Sequence, residues 1–331
     1  MSHHRQSSDY DAYLASLHAN RNTSDELIAR IITEGTGKSL LTKQRIIAGE
    51  ANEVYDITLT NGDSVILRIS NDEDKNFKQE QWAINQCKNM GLPVPAVLYI
   101  TEIREKDNYL AFCIQEKLHG ELLERGTITM SSMDQSHLKK IIIKAGITLA
   151  QIHSVKTKQF GYIDGEGRGE YTTYIELLGE DSKHKEQFIT LCKDSNVPEK
   201  IMRRAFDLID NYLKTKPVIS PVLNHNDFGP KHIMFIDETI TGILDFGEVS
   251  SHSYVNDLAR WDYWHSETVP LEWLLEGYAK VAPLTSDFHE QLQIIKIVNG
   301  LSTMWWYYDQ DYPKGVSQAA EKLLKDVKLL I

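Results

Sequence analysis

The stretch from Leu223 to Glu248, LNHNDFGPKHIMFIDETITGILDFGE, constrains this chain more than any other. Val222-Leu223-Asn224 leads as a short strand into His225-Asn226-Asp227. Ile233-Met234-Phe235-Ile236 and Thr241-Gly242-Ile243-Leu244 are apolar runs separated by Asp237-Glu238, which predicts two paired strands. Asp245-Phe246-Gly247 sits at the tip of the second strand. Such a hairpin would collect Asp227, His232 and Asp245 at one end. Two carboxylates and an imidazole in that position suit a base plus a metal site. The competing structural reading makes the aspartates turn caps.

Transfer of a phosphoryl group to an alcohol needs a carboxylate to accept or orient the hydroxyl proton, a divalent ion to bridge the nucleotide phosphates, and a cation for the other phosphate oxygens. Asp227 suits the first task and Asp245 the second. The loop His225-Asn226-Asp227-Phe228-Gly229-Pro230-Lys231-His232, the strand end Leu244-Asp245-Phe246-Gly247 and the downstream Asn256-Asp257-Leu258-Ala259 together resemble the aminoglycoside phosphotransferase family. That family is a branch of the eukaryotic-like kinase fold and includes choline and hygromycin kinases. Its loop reads H-x-D-x-x-x-x-N, so His232 stands where Asn is usual. Histidine there is also a feature of some gentamicin- and macrolide-kinase relatives. Magnesium prefers oxygen ligands, whereas imidazole suits softer divalent ions. His232 is therefore either a metal ligand or a hydrogen-bond partner steadying Asp227.

At 331 residues and 41% hydrophobic content, the chain is long enough for two substantial cores. Its 36 basic and 47 acidic side chains give a net charge of −11, which argues against nucleic acid or an anionic membrane as partner. The same balance is compatible with a cationic small substrate. Cys87, Cys113 and Cys192 are few, odd in number and widely spaced, as expected in a reducing compartment without a disulfide framework. The sequence MSHHRQSSDYDAYL lacks an apolar signal-peptide core, and Ile141-Ile142-Ile143 is cut short by Lys144. A cytoplasmic protein is expected, as a monomer or homodimer.

Residues 9–34 have amphipathic helical spacing, broken near Asn20-Arg21-Asn22, with Thr23-Ser24-Asp25-Glu26 as a new helix start. Residues 43–69 read as β, with Asn61-Gly62 as a two-residue hairpin turn between Val54–Leu59 and Ser64–Ile69. The preceding Gly49-Glu50-Ala51-Asn52 turn offers backbone N–H groups to phosphates, with Gly49 and Asn52 as candidates, or is an ordinary meander turn. The resemblance implies that Arg68 occupies the place of the phosphate-binding lysine, with Glu80 in the helical stretch 77–84 as its partner. Arginine's planar fork would preserve the contact with altered geometry. Gly91-Leu92-Pro93-Val94-Pro95 stops a helix and starts an extended segment. By resemblance, Gln115–Gly120 is the inter-lobe hinge, where backbone groups of Glu116 and Leu118 would meet the adenine edge.

Residues 134–153 predict a long helix, with His153 at its end as a helix-dipole partner. Phe160-Gly161 and Tyr171-Thr172-Thr173-Tyr174 are similar to hygromycin kinases in particular. Beyond Asp257 the chain is helical and aromatic, notably Arg260–Trp264 and Met304–Asp311. Such stripes suit a core. They also suit an acceptor cleft in which Trp264 and Trp305 face sugar rings and Asp262, Asp309 and Asp311 face ammonium groups.

The expected architecture is α+β, a bilobal protein-kinase-like fold. A small antiparallel N-lobe spans 1–115, a hinge 116–120, and a mostly helical C-lobe 121–331. The expected activity is O-phosphorylation of a small-molecule hydroxyl by ATP or GTP with Mg2+ or Mn2+, the acceptor being an aminoglycoside such as hygromycin B. The alternatives are a kinase for a macrolide, choline-like, sugar or homoserine-like acceptor, and a nucleotide-binding pseudokinase.

Overall fold

The computed structural model describes residues 18, 21–47, 52–74, 77–105, 108–124, 130–195 and 197–330. Gly49 and most of the helical segment expected before residue 21 lie outside the described residues. The chain divides into two compact units, Met1–His119 with Gly242–Gly247, and Gly120–Thr241 with Glu248–Ile331. The segment Gly242–Gly247, expected within the helical lobe, thus clusters with the first unit.

In the first unit, helix α1 (Asp25–Thr36) begins where the sequence signals it. The Ser24 hydroxyl accepts the Leu27 N–H, and Asp25 and Glu26 favour the positive end of the helix. Strands β1 (Leu40–Ile46), β2 (Glu53–Leu59) and β3 (Ser64–Ser70) follow, then helix α2 (Lys78–Asn89) and strands β4 (Val97–Glu105) and β5 (Asn108–Glu116). The strands form one antiparallel sheet in the order β1-β2-β3-β5-β4. The Asn61-Gly62 turn sets the register of β2 and β3, with Thr58 opposite Ser64 and Val54 opposite Arg68. Alternation then divides the side chains between two faces. Tyr55, Ile57, Leu67, Phe112 and Ile114 pack with Ile28, Ile31 and Ile32 of α1. Ala111 and Cys113 lie on the opposite face with Phe77 and Tyr109.

The second unit is mainly helical. Its helices are α3 (Gln135–Ile152), α4 (Tyr174–Leu178), α5 (Lys185–Ser195), α6 (Glu199–Lys214), α7 (Val255–His265), α8 (Leu271–Tyr278), α9 (Phe288–Asp309) and α10 (Pro313–Lys328). Asp134 caps α3 by accepting the N–H groups of Ser136 and His137. Two glycines bring α3 and α8 together. A Cβ at Gly277 would lie 1.8 Å from the Ile143 carbonyl oxygen, and one at Gly146 would lie 2.1 Å from that of Leu274. Helices α5, α6, α9 and α10 share a core that includes Phe206, Ile209, Leu301, Met304 and Leu323.

Two small sheets complete this unit. Strand β6 (Glu121–Leu122) pairs with β9 (Ile233–Ile236), which adjoins β10 (Thr239–Ile243). The expected hairpin is therefore present, with β10 starting two residues earlier than its apolar run. Strand β11 (Ser250–His252) lies between β7 (Gly161–Tyr162) and β8 (Val222–Asn224). The three cysteines are buried and free, and burial pushes the Cys87 and Cys113 thiols up to about 12. No helix among the described residues is long and apolar enough to cross a membrane.

Candidate active site

Each unit assembles its own group of functional side chains. In the first, Arg68 lies within β3 and is 8% exposed. A buried guanidinium is costly unless paired. Arg68 forms an ion pair with Glu80 of α2, itself buried, and its Nη2 donates to Asp245 Oδ1 at 3.1 Å. The guanidinium also lies 5.3 Å from the centre of the Phe77 ring. Burial works to lower the Arg68 pKa, but the charges of Glu80 and Asp245 outweigh it and raise the pKa above its ordinary value. The helix that carries Glu80 therefore holds a permanent cation on the face of the sheet opposite α1.

Asp245 occupies a left-handed backbone conformation, with φ of +62°. Non-glycine residues pay of the order of 1 kcal/mol for such a conformation, and it recurs at functional sites. The side chain of Asp245 is 47% exposed, so one carboxylate oxygen meets Arg68 while the group stays accessible. Gly247 makes room for this cluster. A Cβ there would lie 3.2 Å from Asp245 Oδ1 and 3.3 Å from Glu80 Oε1.

The remaining nucleotide-site candidates in this unit differ in character. Asn52 directly precedes β2, and its Oδ1 is buried without a hydrogen-bond partner among the described residues. The Glu116 N–H is committed to the Ala96 carbonyl at 2.8 Å. Its carboxylate accepts the Ala96 N–H at 3.1 Å and Lys88 Nζ at 3.0 Å, and these bonds hold it below the usual carboxylate range. Leu118 is half-buried in the segment after β5.

In the second unit, β8 leads into the His225–His232 loop from a fully buried base: Asn224 and His225 have no exposed surface. Asp257, also fully buried, is the anchor of the loop. It accepts the N–H groups of His225 at 2.8 Å and Asn226 at 2.7 Å. His153 Nε2 contacts the same carboxylate at 3.0 Å, and its Nδ1 lies 3.0 Å from the Tyr278 hydroxyl. His153, at the C-terminal cap of α3, is thus also an internal strut between Asp257 and Tyr278. Asp257 would be raised by burial, but the hydrogen bond and charge of His153 outweigh this and lower it. Asn226 is also left-handed, with φ of +65°, and its Oδ1 accepts Asn256 Nδ2 at 2.9 Å.

This scaffold presents Asp227. Its carboxylate is 2.9 Å from Lys231 Nζ and 3.6 Å from His232 Nδ1. His232 Nδ1 is closer still to the Asp227 main-chain oxygen, at 2.9 Å. Burial acts to raise the Asp227 carboxyl, but Lys231 and His232 outweigh it and hold it below the usual range. His265 also belongs to this neighbourhood. Burial, followed by the Lys231 cation, pushes it down to about 4.

The acceptor candidates are dispersed in character. Asp262 faces Lys296 Nζ at 2.7 Å, and the same ammonium meets Asp326 at 2.9 Å, so Asp262 belongs to a part-buried ion cluster. Trp305 packs against the core, 5.4 Å from the Phe188 ring. Trp264 is 39% exposed, with Lys322 Nζ 4.8 Å from its ring centre. Asp309 ends α9 and is exposed, as is Asp311 just beyond it. Among the described residues, no group of three or more His, Cys, Asp or Glu side chains forms a set able to hold a metal ion.

A five-stranded antiparallel sheet bearing a helix-braced cation, with a mostly helical unit bearing a buttressed aspartate loop, defines a kinase-like phosphotransferase. The chain belongs to the phosphotransferase enzyme family (APH), whose profile matches residues 43–284. Among solved structures it is similar to aminoglycoside phosphotransferase APH(4)-Ia, in a thermostable mutant bound to AMP-PNP and hygromycin B. That similarity has a TM-score of 0.72 and 18% identity over 91% of this chain and 98% of the other. It is also similar to the GDP complex of an aminoglycoside 2'-phosphotransferase-IIIa mutant, with a TM-score of 0.64 and 16% identity over 93% and 98%. A putative fructosamine-3-kinase from Thermobifida fusca gives a TM-score of 0.63 and 17% identity over 91% and 100%. No curated protein sequence matches the chain.

Proposed function

We propose that this phosphotransferase moves the terminal phosphoryl group of ATP or GTP to a hydroxyl of a cationic aminoglycoside, hygromycin B being the first choice. The observation that carries the reading is Asp227, an ionised and partly accessible carboxylate on a loop anchored by fully buried Asp257. A carboxylate held below its usual range is a weak base. Asp227 therefore acts mainly by orienting the acceptor hydroxyl, and takes the proton late, as a loose phosphoryl-transfer transition state allows. Arg68, fixed by Glu80, offers a preorganised cation to nucleotide phosphate oxygens.

A divalent ion, when bound, supplies positive charge to the phosphate oxygens. Asp245 offers it an accessible carboxylate, the donor type that Mg2+ and Mn2+ favour. His232 is a second candidate donor. Its Nδ1 faces a carbonyl that can only accept, so in the neutral ring Nδ1 carries the proton and Nε2 the lone pair. The choice of acceptor is supported by the 160–174 segment, by the net charge of −11 and by the hygromycin B held in a similar structure. A cytoplasmic location accords with the three free cysteines.

The test measures nucleotide consumption with Mg2+ or Mn2+ against hygromycin B, kanamycin, gentamicin, a macrolide and choline. Strong stimulation by one aminoglycoside supports the reading. Stimulation by choline or a macrolide alone would replace the acceptor class, and nucleotide binding without turnover would favour a pseudokinase.

A further inference from the structure

Helix α7 runs along the Asp227 loop and meets it at successive turns. Asp257, Trp261 and His265 are spaced by four and share one face of the helix. Asp257 holds the N–H groups of His225 and Asn226. The Trp261 ring lies 6.1 Å from that of Phe228. His265 meets Gly229, where a Cβ would lie 2.5 Å from His265 Nε2. Gly229 has extended backbone, with φ of −155°, which any residue adopts, so the glycine provides room for the ring and not a special turn. The contacts differ in kind. Asp257 and Trp261 are fully buried and their polar atoms are engaged, Trp261 Nε1 donating to the Val269 carbonyl at 3.2 Å. His265 is half-buried and packs 5.3 Å from the Trp261 ring, yet neither of its ring nitrogens has a hydrogen-bond partner among the described residues. Filling the space beside Gly229 needs a ring but no nitrogen.

We propose that His265 is a specificity residue for the acceptor, hydrogen-bonding a hydroxyl next to the one that Asp227 orients. The proposal rests on the phosphotransfer reading above and adds a second acceptor contact to it. Burial and the Lys231 cation keep the ring neutral at physiological pH, so one nitrogen donates and the other accepts. A hydroxyl does both as well, whereas an ammonium group only donates. The charges that act on the ring are those of Lys231, Asp227, Lys322 and His232. Asp227 is itself paired with Lys231 at 2.9 Å, and Lys322 Nζ donates to the Tyr263 carbonyl at 2.8 Å. Two lysines near this ring disfavour a further cation. The acceptor therefore turns a hydroxyl-bearing ring towards His265 and carries its ammonium groups elsewhere.

The test is steady-state kinetics with ATP, Mg2+ and hygromycin B, or kanamycin in its place, on the wild type, His265→Phe and His265→Gln. Phenylalanine keeps the ring and its packing but removes the nitrogens, and glutamine restores a hydrogen-bonding end near the place of Nε2. His265→Phe raises the KM for the acceptor about tenfold with kcat nearly unchanged, the loss of one hydrogen bond made equally before and during transfer. The KM for ATP stays within about twofold, and His265→Gln recovers most of the acceptor affinity. His265→Leu repeats the measurement should the phenylalanine variant fold poorly. An unchanged acceptor KM in His265→Phe, or a fall in kcat with both KM values unchanged, overturns the assignment of His265 alone. Failure of the wild type to phosphorylate either acceptor overturns it together with the reading on which it rests.

Discussion

Replacing Asp257 with Asn separates the buttress of the loop from the reacting carboxylate. Asp257 serves three donors, the His225 and Asn226 N–H groups and His153. In Asp257→Asn one oxygen remains for Asn226, while the new NH2 group faces the His225 N–H, donor against donor. His153 adapts by exchanging tautomers, accepting at Nε2 and donating from Nδ1 to the Tyr278 hydroxyl. The net change is one buried N–H left unpaired, which costs about 2 kcal/mol of stability. Relief of the donor clash shifts the loop, and a displacement of about 1 Å at Asp227 lowers turnover by roughly a hundredfold. Asp257→Ala strands all three donors and costs about 3–6 kcal/mol. Urea unfolding followed by tryptophan fluorescence measures the first quantity, and steady-state turnover on the responsive acceptor measures the second. An Asp257→Asn protein with wild-type stability and wild-type turnover would refute the buttress argument.

Lys296→Met leaves Asp262 and Asp326 facing one another without their cation, and loss of about 3–5 kcal/mol of stability is expected in the same urea assay. If Lys296→Met were neutral in stability but weakened acceptor binding, Asp262 would instead belong to the acceptor site. His252 is buried, and that burial pushes its pKa down to about 4 from an unfolded value near 6.5. Below pH 6.5 the unfolded chain takes up a proton that the folded chain refuses until about pH 4. Stability is therefore fully present at neutral pH and falls between about 6.5 and 4, by on the order of 3 kcal/mol from this residue. His252→Gln should flatten that slope in denaturation curves at pH 7, 5.5 and 4.5, and an equally steep slope would discount His252 as its source.

What the sequence disclosed was local. The β2–β3 hairpin turned at Asn61-Gly62, the helix signalled at Thr23–Glu26 started there, and the apolar runs around Asp237-Glu238 paired as expected. Each depends on residues within a few positions of one another. The choice of partner across long separations was less legible. His153 lies 104 positions from Asp257 and 125 from Tyr278, and its place at a helix end gave no sign of either contact. The signal available was Asp257 itself, since a buried carboxylate must find donors. Asp262 looked like an acid for a ligand because its cation, Lys296, comes from a helix 34 positions later. The aromatic run of α9 divides by helical phase, with Met304 buried, Trp305 against the core, and Trp306 and Tyr308 exposed. The Arg68–Glu80 pair was accessible to sequence reasoning because the family pattern specifies a helix glutamate for the strand cation.

The central claim is that Asp227 serves transfer of a phosphoryl group from a nucleotide to a small cationic polyol. The most direct test incubates the chain with γ-labelled ATP, Mg2+ and hygromycin B, and asks by mass spectrometry whether the acceptor gains one phosphoryl group. The account predicts labelled product from the wild type, and a loss of well over tenfold in Asp227→Asn, more than about 1.4 kcal/mol of barrier. Product formation by Asp227→Asn within tenfold of the wild type would contradict it.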